Sequence, residues 1–394
     1  MKMKKVLFMI SVAAVALASC SNEKNEYVGG NDNSPKEIAF KPITQPATRG
    51  ASAADIYNAV PSTDYPKNYT MDVVAYMVPE SGTSDVTAGD YFGSTNFLYQ
   101  NAGGSTNTTA NPSYWGGATA QYWPMGRATL NFLAVSQWSP TNVVSTVFGE
   151  TSADYASKAT VTLSNNKPTS YTPSGSAATY VQHDLMYAIG SASVTKNGST
   201  QALEYPSYVN MVFKHALAWI YFTVQPYSAA EEAITVNSIT LTNAYYSGEF
   251  VANQTNYDAL TGQTWGTCKW NSVGSKEASI TSPNWTAAVL DWNESGSSPV
   301  VTPVGDGIIV VPTVDLTGSD AKESFDNFTI NYTVGTGVGA KTYNYTYTPA
   351  TRTLEKGKKY TYAITFKLNE IFINASVENW TSSSVNVPVG GSGS

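Results

Sequence analysis

The chain has 394 residues, two cysteines and a formal charge of −7, and 13% of it is charged against 12% aromatic. So apolar a composition can bury a core and excludes a mainly disordered chain. Two cysteines exclude a disulfide-rich scaffold, and the acidic balance argues against nucleic acid as the main partner.

Lys2, Lys4 and Lys5 precede an apolar run from Val6 to Ala18 that ends in Leu17-Ala18-Ser19-Cys20. The run is too short to span a bilayer comfortably and has the flanks of a signal peptide, assigned to residues 1–19. Small residues before a cysteine resemble a bacterial lipobox, so Cys20 is expected to be acylated and to become the new N-terminus. Each buried CH₂ of such a lipid contributes about 0.8 kcal/mol to membrane attachment. Loss of the three lysines takes the net charge from −7 to −10. With Cys20 lipidated, Cys268 has no partner within the chain and reads as a small, partly buried residue.

Residues 20–36 are polar and Gly/Asn-rich, a tether. Ile38 and Phe40 then alternate with polar or small residues, a short strand pattern. It leads into TQPATRGASAAD, polar and small, which holds Arg49-Gly50; the only other arginines are Arg127 and Arg352. Strand patterns follow at 71–78, 128–135 and 158–163. The run 208–224 is too long for one flat strand and reads as two strands, or one bent strand, buried on both faces, with a helix over 211–222 left open by periodicity. The softer stretch 225–233 marks the domain boundary. In ITVNSITLT, Ile234 and Val236 are in phase and Ile239 and Leu241 are in the opposite phase, which predicts a β-bulge near Asn237–Ser238. Further strands are expected at 307–311, 327–334, 341–348, 359–368 and 371–377, with 335–340 as a hairpin loop. Val385, Val387 and Val389 alternate in the tail before GGSGS, which reads as a linker. The pattern predicts an all-β protein of antiparallel β-sandwiches. They are divided as a first strand with its following loop (37–50), an N-terminal sandwich (51–226) and a C-terminal sandwich (227–394).

Residues suited to chemistry are sparse. His183-Asp184 could be half of an acid–base pair, but no serine sits in a G-x-S-x-G elbow. His215 lies in an apolar strand pattern and reads as a packed histidine. Asp315, Asp320 and Asp326 lack EF-hand spacing. No catalytic residue, metal site or cofactor is predicted, and the chain is not expected to be an enzyme. The tyrosines and tryptophans could stack on sugars, which leaves a non-polymerising surface glycan-binding lipoprotein as the alternative reading; ordinary strand roles are favoured for them.

Across almost its whole length the chain resembles the fimbrillins, lipoprotein-derived subunits of protease-assembled (type V) pili of Gram-negative bacteria. The landmarks are the Cys20 motif, IAF at 38–40, ATRG at 47–50, YWP at 122–124 and LNFLAVS at 130–136. DLMYA at 184–188, FKHALAWI at 213–220, GIIVVP at 307–312, GKKYTY at 357–362 and NEIFINASVENW at 369–380 complete them. The resemblance implies two transthyretin-like sandwiches completed by strand exchange. It implies outer-membrane export and cleavage after Arg49 by an Arg-specific or trypsin-like protease. It also implies loss of the Ile38/Phe40 strand and entry of a neighbouring subunit's strand into the groove left behind. Val385, Val387 and Val389 are the candidate donor, with Pro388 removing one ladder N–H; a last strand of the same domain is the competing role. The partners expected are other fimbrial subunits, forming a homopolymer with accessory tip or anchor subunits. The alternating tail leans towards a stalk subunit.

Overall fold

The structure, a computed structural model, describes residues 35–44, 69–100, 114–137, 143–149, 156–171, 179–228, 233–278, 280–290, 292–293, 298–316, 322–367 and 370–380. These residues form an all-β fold; the one helical turn among them is a 3₁₀ turn at Gly337–Gly339, inside the expected 335–340 hairpin loop. Longer strands are numbered in chain order.

The N-terminal half is a sheet that closes on itself. It contains β1 (Ala39–Thr44), β2 (Thr70–Pro79), β3 (Gly89–Gln100), β4 (Tyr114–Gly117) and β5 (Ala128–Gln137). Two further strands, β8 (Met186–Lys196) and β9 (Val209–His215), complete it. The order around the ring is β8-β9-β1-β4-β3-β2-β5, and β5 pairs back onto β8. Closure removes the free edges of an open sheet. Ile38, Phe40, Phe97, Trp115, Phe132, Met211 and Phe213 fill the interior.

A small middle sheet lies against the outside of the ring, built from β6 (Val144–Phe148), β7 (Lys158–Leu163), β12 (Gly248–Thr255) and β13 (Lys269–Val273). Its pairing of β7 with β12 joins segments from either side of the 225–233 stretch. Strand β5 serves both layers. Leu130, Phe132 and Ala134 point into the ring, whereas Leu133 and Val135 point into the middle core with Phe250, Trp270 and Trp219. Hence the strand is buried on both faces.

The remaining strands make a two-sheet sandwich. One sheet carries β10 (Ala218–Pro226), β14 (Ile308–Val310), β17 (Lys358–Lys367) and β18 (Glu370–Asn379). The other carries β11 (Ile234–Thr242), β15 (Asn327–Val334) and β16 (Lys341–Tyr347). Ile220, Phe222, Val236, Phe328, Ile330, Tyr362 and Ile364 pack between them. The β11/β15 register shifts between Val236 and Ser238, where the phase switch predicted a bulge. Most ladders are antiparallel as expected, but β1 with β9 and β10 with β17 pair in parallel. Those partners are distant in sequence, so no hairpin turn dictates their direction.

The run 208–224 is two strands. It breaks at Ala216–Leu217, the passage from ring to sandwich. Ala216 N–H donates to the Leu185 carbonyl (2.8 Å), the Trp270 indole N–H to the Ala216 carbonyl (2.7 Å) and Gly357 N–H to the Leu217 carbonyl (2.7 Å). Gly357 has φ +68°, a left-handed conformation that costs glycine little. Its carbonyl then accepts from Trp380 N–H (2.8 Å).

Candidate functional site

Strand β1 is short, yet it is placed between two others. It runs parallel to β9 from Phe40 opposite Val209 to Thr44 opposite Phe213. On its other side it faces β4 only at Ala39 and Phe40. Just before it, Ile38 N–H donates to the Gln121 carbonyl (2.7 Å), and Trp123 N–H donates to the Lys36 carbonyl (2.8 Å). Pro42 brings no N–H to either neighbour. Backbone ties on the β4 side are therefore few.

Side chains supply the rest. Ile38 and Phe40 are fully buried. The Phe40 ring meets Phe97 at 4.7 Å and Phe132 at 5.1 Å, both edge-on, the favoured aromatic geometry. Full burial of each side chain contributes about 1.5–3 kcal/mol. Lys41 lies with its ammonium 4.1 Å from the Tyr208 ring, and burial lowers its pKa. Burial raises the Glu37 carboxyl.

Of the residues predicted to matter, Ile38 and Phe40 thus share one core with Trp115 and Phe213. Cys20, Arg49, Gly50, Val385, Val387 and Val389 lie outside the described residues. The other two arginines are ion-paired, Arg127 with Glu80 (3.0 Å) and Arg352 with Glu323. Cys268 is half-buried, donates to the Asn253 carbonyl (3.4 Å), and burial pushes its thiol up, away from the reactive thiolate. Asp315 pairs with Lys356 (2.8 Å) and Asp326 with Lys276, so these two carboxylates serve separate cations; Asp320 lies outside the described residues.

One cluster was not assembled from sequence. His215 Nδ1 is 2.8 Å from Asp184 Oδ2, both side chains almost wholly buried. The His215 ring stacks on Trp380 at 4.1 Å. Asp184 N–H donates to the Tyr69 hydroxyl (2.8 Å), and the Tyr69 ring stacks on His183 at 5.1 Å. The Ser136 hydroxyl donates to the Asp184 carbonyl (3.2 Å) and accepts from Met186 N–H (2.7 Å). Burial lowers His183 to about 3, so it is neutral at pH 7. The His183-Asp184 dipeptide is therefore divided between two tasks, with His183 stacked and Asp184 paired to His215. The cluster is sealed in the protein and ties the first described residue after β1, Tyr69, to the last, Trp380.

The aromatics are mostly core. Trp115, Trp123, Trp219, Trp270 and Trp380 are buried, while Tyr122, Tyr227, Tyr343, Tyr345 and Phe372 are the exposed large rings among the described residues.

The sequence profile of a family described as fimbrillin-like matches residues 63–380. No curated protein sequence matches the chain. Among solved structures it is similar to a fimbrial protein from Bacteroides vulgatus, at 15% identity and TM-score 0.48, over 87% of this chain and 99% of that one. It is similar also to a fimbrial assembly protein from Parabacteroides distasonis, at 13% identity and TM-score 0.32, over 88% and 96%. A third is the fimbrial anchor protein Mfa2 from Porphyromonas gingivalis, at 10% identity and TM-score 0.29, over 88% and 98%.

Proposed function

Because the chain belongs to the fimbrillin-like family, a family of fimbrial structural proteins, we propose that it is a stalk subunit of a cell-surface fimbrium, assembled by exchange of its first strand and supporting adhesion. In this reading residues 1–19 direct export, Cys20 carries the lipid, and the tether 20–36 holds the subunit at the outer membrane. A protease cuts after Arg49, β1 leaves, and a neighbour's Val385/Val387/Val389 segment takes its place. The partners are then other subunits, the protease and, before processing, the membrane.

One observation carries the proposal: β1 lies between β4 and β9, with Ile38 and Phe40 in the ring core. Arg49 follows its last residue by five positions. Removing β1 would leave two strands with unpaired edges and uncover Phe97, Trp115, Phe132 and Phe213. An incoming strand with alternating apolar residues restores both kinds of contact by β-augmentation. Lys41 precedes Pro42, a poor bond for trypsin-like cleavage, whereas Arg49 precedes Gly50.

The test uses an Arg-specific protease on the purified chain, followed by denaturing gels without boiling. Ladders of subunit multiples are expected, with the new N-terminus at Gly50. If Arg49→Ala yields the same ladders, the processing scheme is wrong.

A further inference from the structure

Strand β16 is the counterpart of β1: an exposed strand at a sheet edge. Its sequence is Lys-Thr-Tyr-Asn-Tyr-Thr-Tyr; residues 341–346 are exposed and Tyr347 is half-buried. Among the described residues it pairs with β15 alone. On the outer face Thr346 meets Thr329 (2.9 Å), Asn344 meets Asn331 (2.7 Å) and Thr342 meets Thr333 (2.9 Å). On the inner face Tyr343 stacks on Tyr332 at 5.6 Å and Tyr347 packs on Phe328 at 5.4 Å. An amide relay crosses the sheet. Asn237 donates to Asn331 (2.7 Å), and Asn331 donates to Asn344 (2.7 Å). It ends at the edge, with the Asn344 NH₂ as its last donor.

Edges are usually guarded by charge, proline or a bulge. In β18, the last strand of the facing sheet, Glu370 and Glu378 stand near the two ends. In β16 the one charge is Lys341, at its first position, and it contains no proline. Moreover, Thr342-Tyr343-Asn344-Tyr345-Thr346 reads the same in both directions.

We propose that β16 is a docking edge for a second copy of this chain, paired antiparallel about a two-fold axis through Asn344. That register sets Asn344 against Asn344, Tyr343 against Tyr345 and Thr342 against Thr346. These repeat the Asn–Asn, Tyr–Tyr and Thr–Thr pairs that β16 already makes with β15. The two lysines fall at opposite ends, each opposite a Tyr347, a cation–ring arrangement like Lys41 over Tyr208. A parallel pairing in register would instead oppose the two lysines directly, which is unfavourable. The interface is isologous, so it closes as a dimer and leaves no further β16 edge exposed. One short strand pair buries less than the ~1,200 Å² of a standard interface, so a single contact is weak and gains strength where many copies sit on one surface. The inference is independent of cleavage at Arg49.

The test is thiol cross-linking in the full chain, with Cys20 and Cys268 replaced by serine. Facing residues of an antiparallel pair have Cα atoms about 4.5–5.5 Å apart, within disulfide range. Asn344→Cys is therefore expected to give an intermolecular disulfide. Thr342→Cys alone is not, because its copy lies four residues along, about 13 Å away. A mixture of Thr342→Cys and Thr346→Cys protein is expected to cross-link. In the parent chain, Asn344→Lys places like charges on the axis and should weaken self-association at least about tenfold by sedimentation equilibrium. A chain that stays monomeric from about 10 µM to about 1 mM, with no Asn344→Cys dimer, overturns the proposal. So does cross-linking of Thr342→Cys alone, self-association that Asn344→Lys leaves unchanged, or a monomer that uses Tyr343 and Tyr345 to bind oligosaccharide.

Discussion

The ring and the sandwich solve the same problem in opposite ways. In the ring each of β1–β5, β8 and β9 has a neighbour on both sides among the described residues. In the sandwich, β16 and β18 end their sheets. The ring's closure is also uneven. β2 faces β5 along its whole length, whereas β1 faces β4 only at Ala39 and Phe40, and β8 faces β9 only at Met186 and Tyr187. Closure by so few backbone pairs depends on what the side chains bury. The sandwich edge relies instead on polar pairs at its surface. The contrast teaches that a strand's exposure to exchange is set by how its stability divides between ladder and core, not by its length. A strand held mainly by its apolar side chains can be replaced by another with the same alternation.

The strongest way to break this comparison is Phe40→Ala. It empties the space between Phe97 and Phe132, and a fully buried phenylalanine truncated to alanine costs about 3–5 kcal/mol. Urea unfolding should register that loss, and hydrogen exchange should place it in β4 and β9 while β15 and β16 stay protected. A loss below about 1 kcal/mol would mean that the ring does not depend on β1. Next in size is Asp184→Ala. It leaves the buried His215 Nδ1 without its carboxylate partner, and a buried polar group left unsatisfied costs about 1–3 kcal/mol. Asp184→Asn, which keeps the shape, should cost less by the same urea unfolding.

Acid should act through His183. Burial holds its folded-state pKa near 3, below the ordinary value of about 6.5. As pH falls, the unfolded chain binds the proton first. The stability contributed by neutral His183 is therefore whole above the unfolded value and is lost progressively between it and about 3. Urea midpoints at pH 7 and 4.5 should differ less in His183→Gln than in the parent. An equal difference would assign the acid sensitivity to other groups.

What was legible in the sequence was local alternation. Ile38 and Phe40 announced a strand, Ala159, Val161 and Leu163 announced a buried face, and a phase switch announced the bulge beside Ser238. Ring closure was not legible, because β1 and β9 pair across most of the N-terminal half and neither carries a mark of its partner. Nor was the Asp184–His215 pair. Adjacency in sequence suggested His183 as the partner, but neighbours in an extended chain point to opposite sides. The break at Ala216–Leu217 was hidden because both flanking strands are apolar, and only their different partners separate them. The palindrome around Asn344 takes its meaning only from the place of β16 at the edge of its sheet.

The smallest expected effect sharpens the other side of the comparison. Asn344→Ala deletes the last member of the amide relay, at an exposed position where water can replace it. A cross-strand polar pair contributes about 0.2–1 kcal/mol, so a loss within that range is expected for the sandwich. Asn331→Ala should cost more, because Asn331 both accepts from Asn237 and donates to Asn344. The double variant isolates the pair, and a coupling of about 0.5 kcal/mol is expected. If Asn344→Ala instead cost as much as Phe40→Ala, the edge would be held by buried contacts after all, and the division between a core-held β1 and a surface-held β16 would fail. If the coupling is small and real, β16 keeps its ladder donors and the Asn344 amide available while remaining folded, which is the state a docking edge requires.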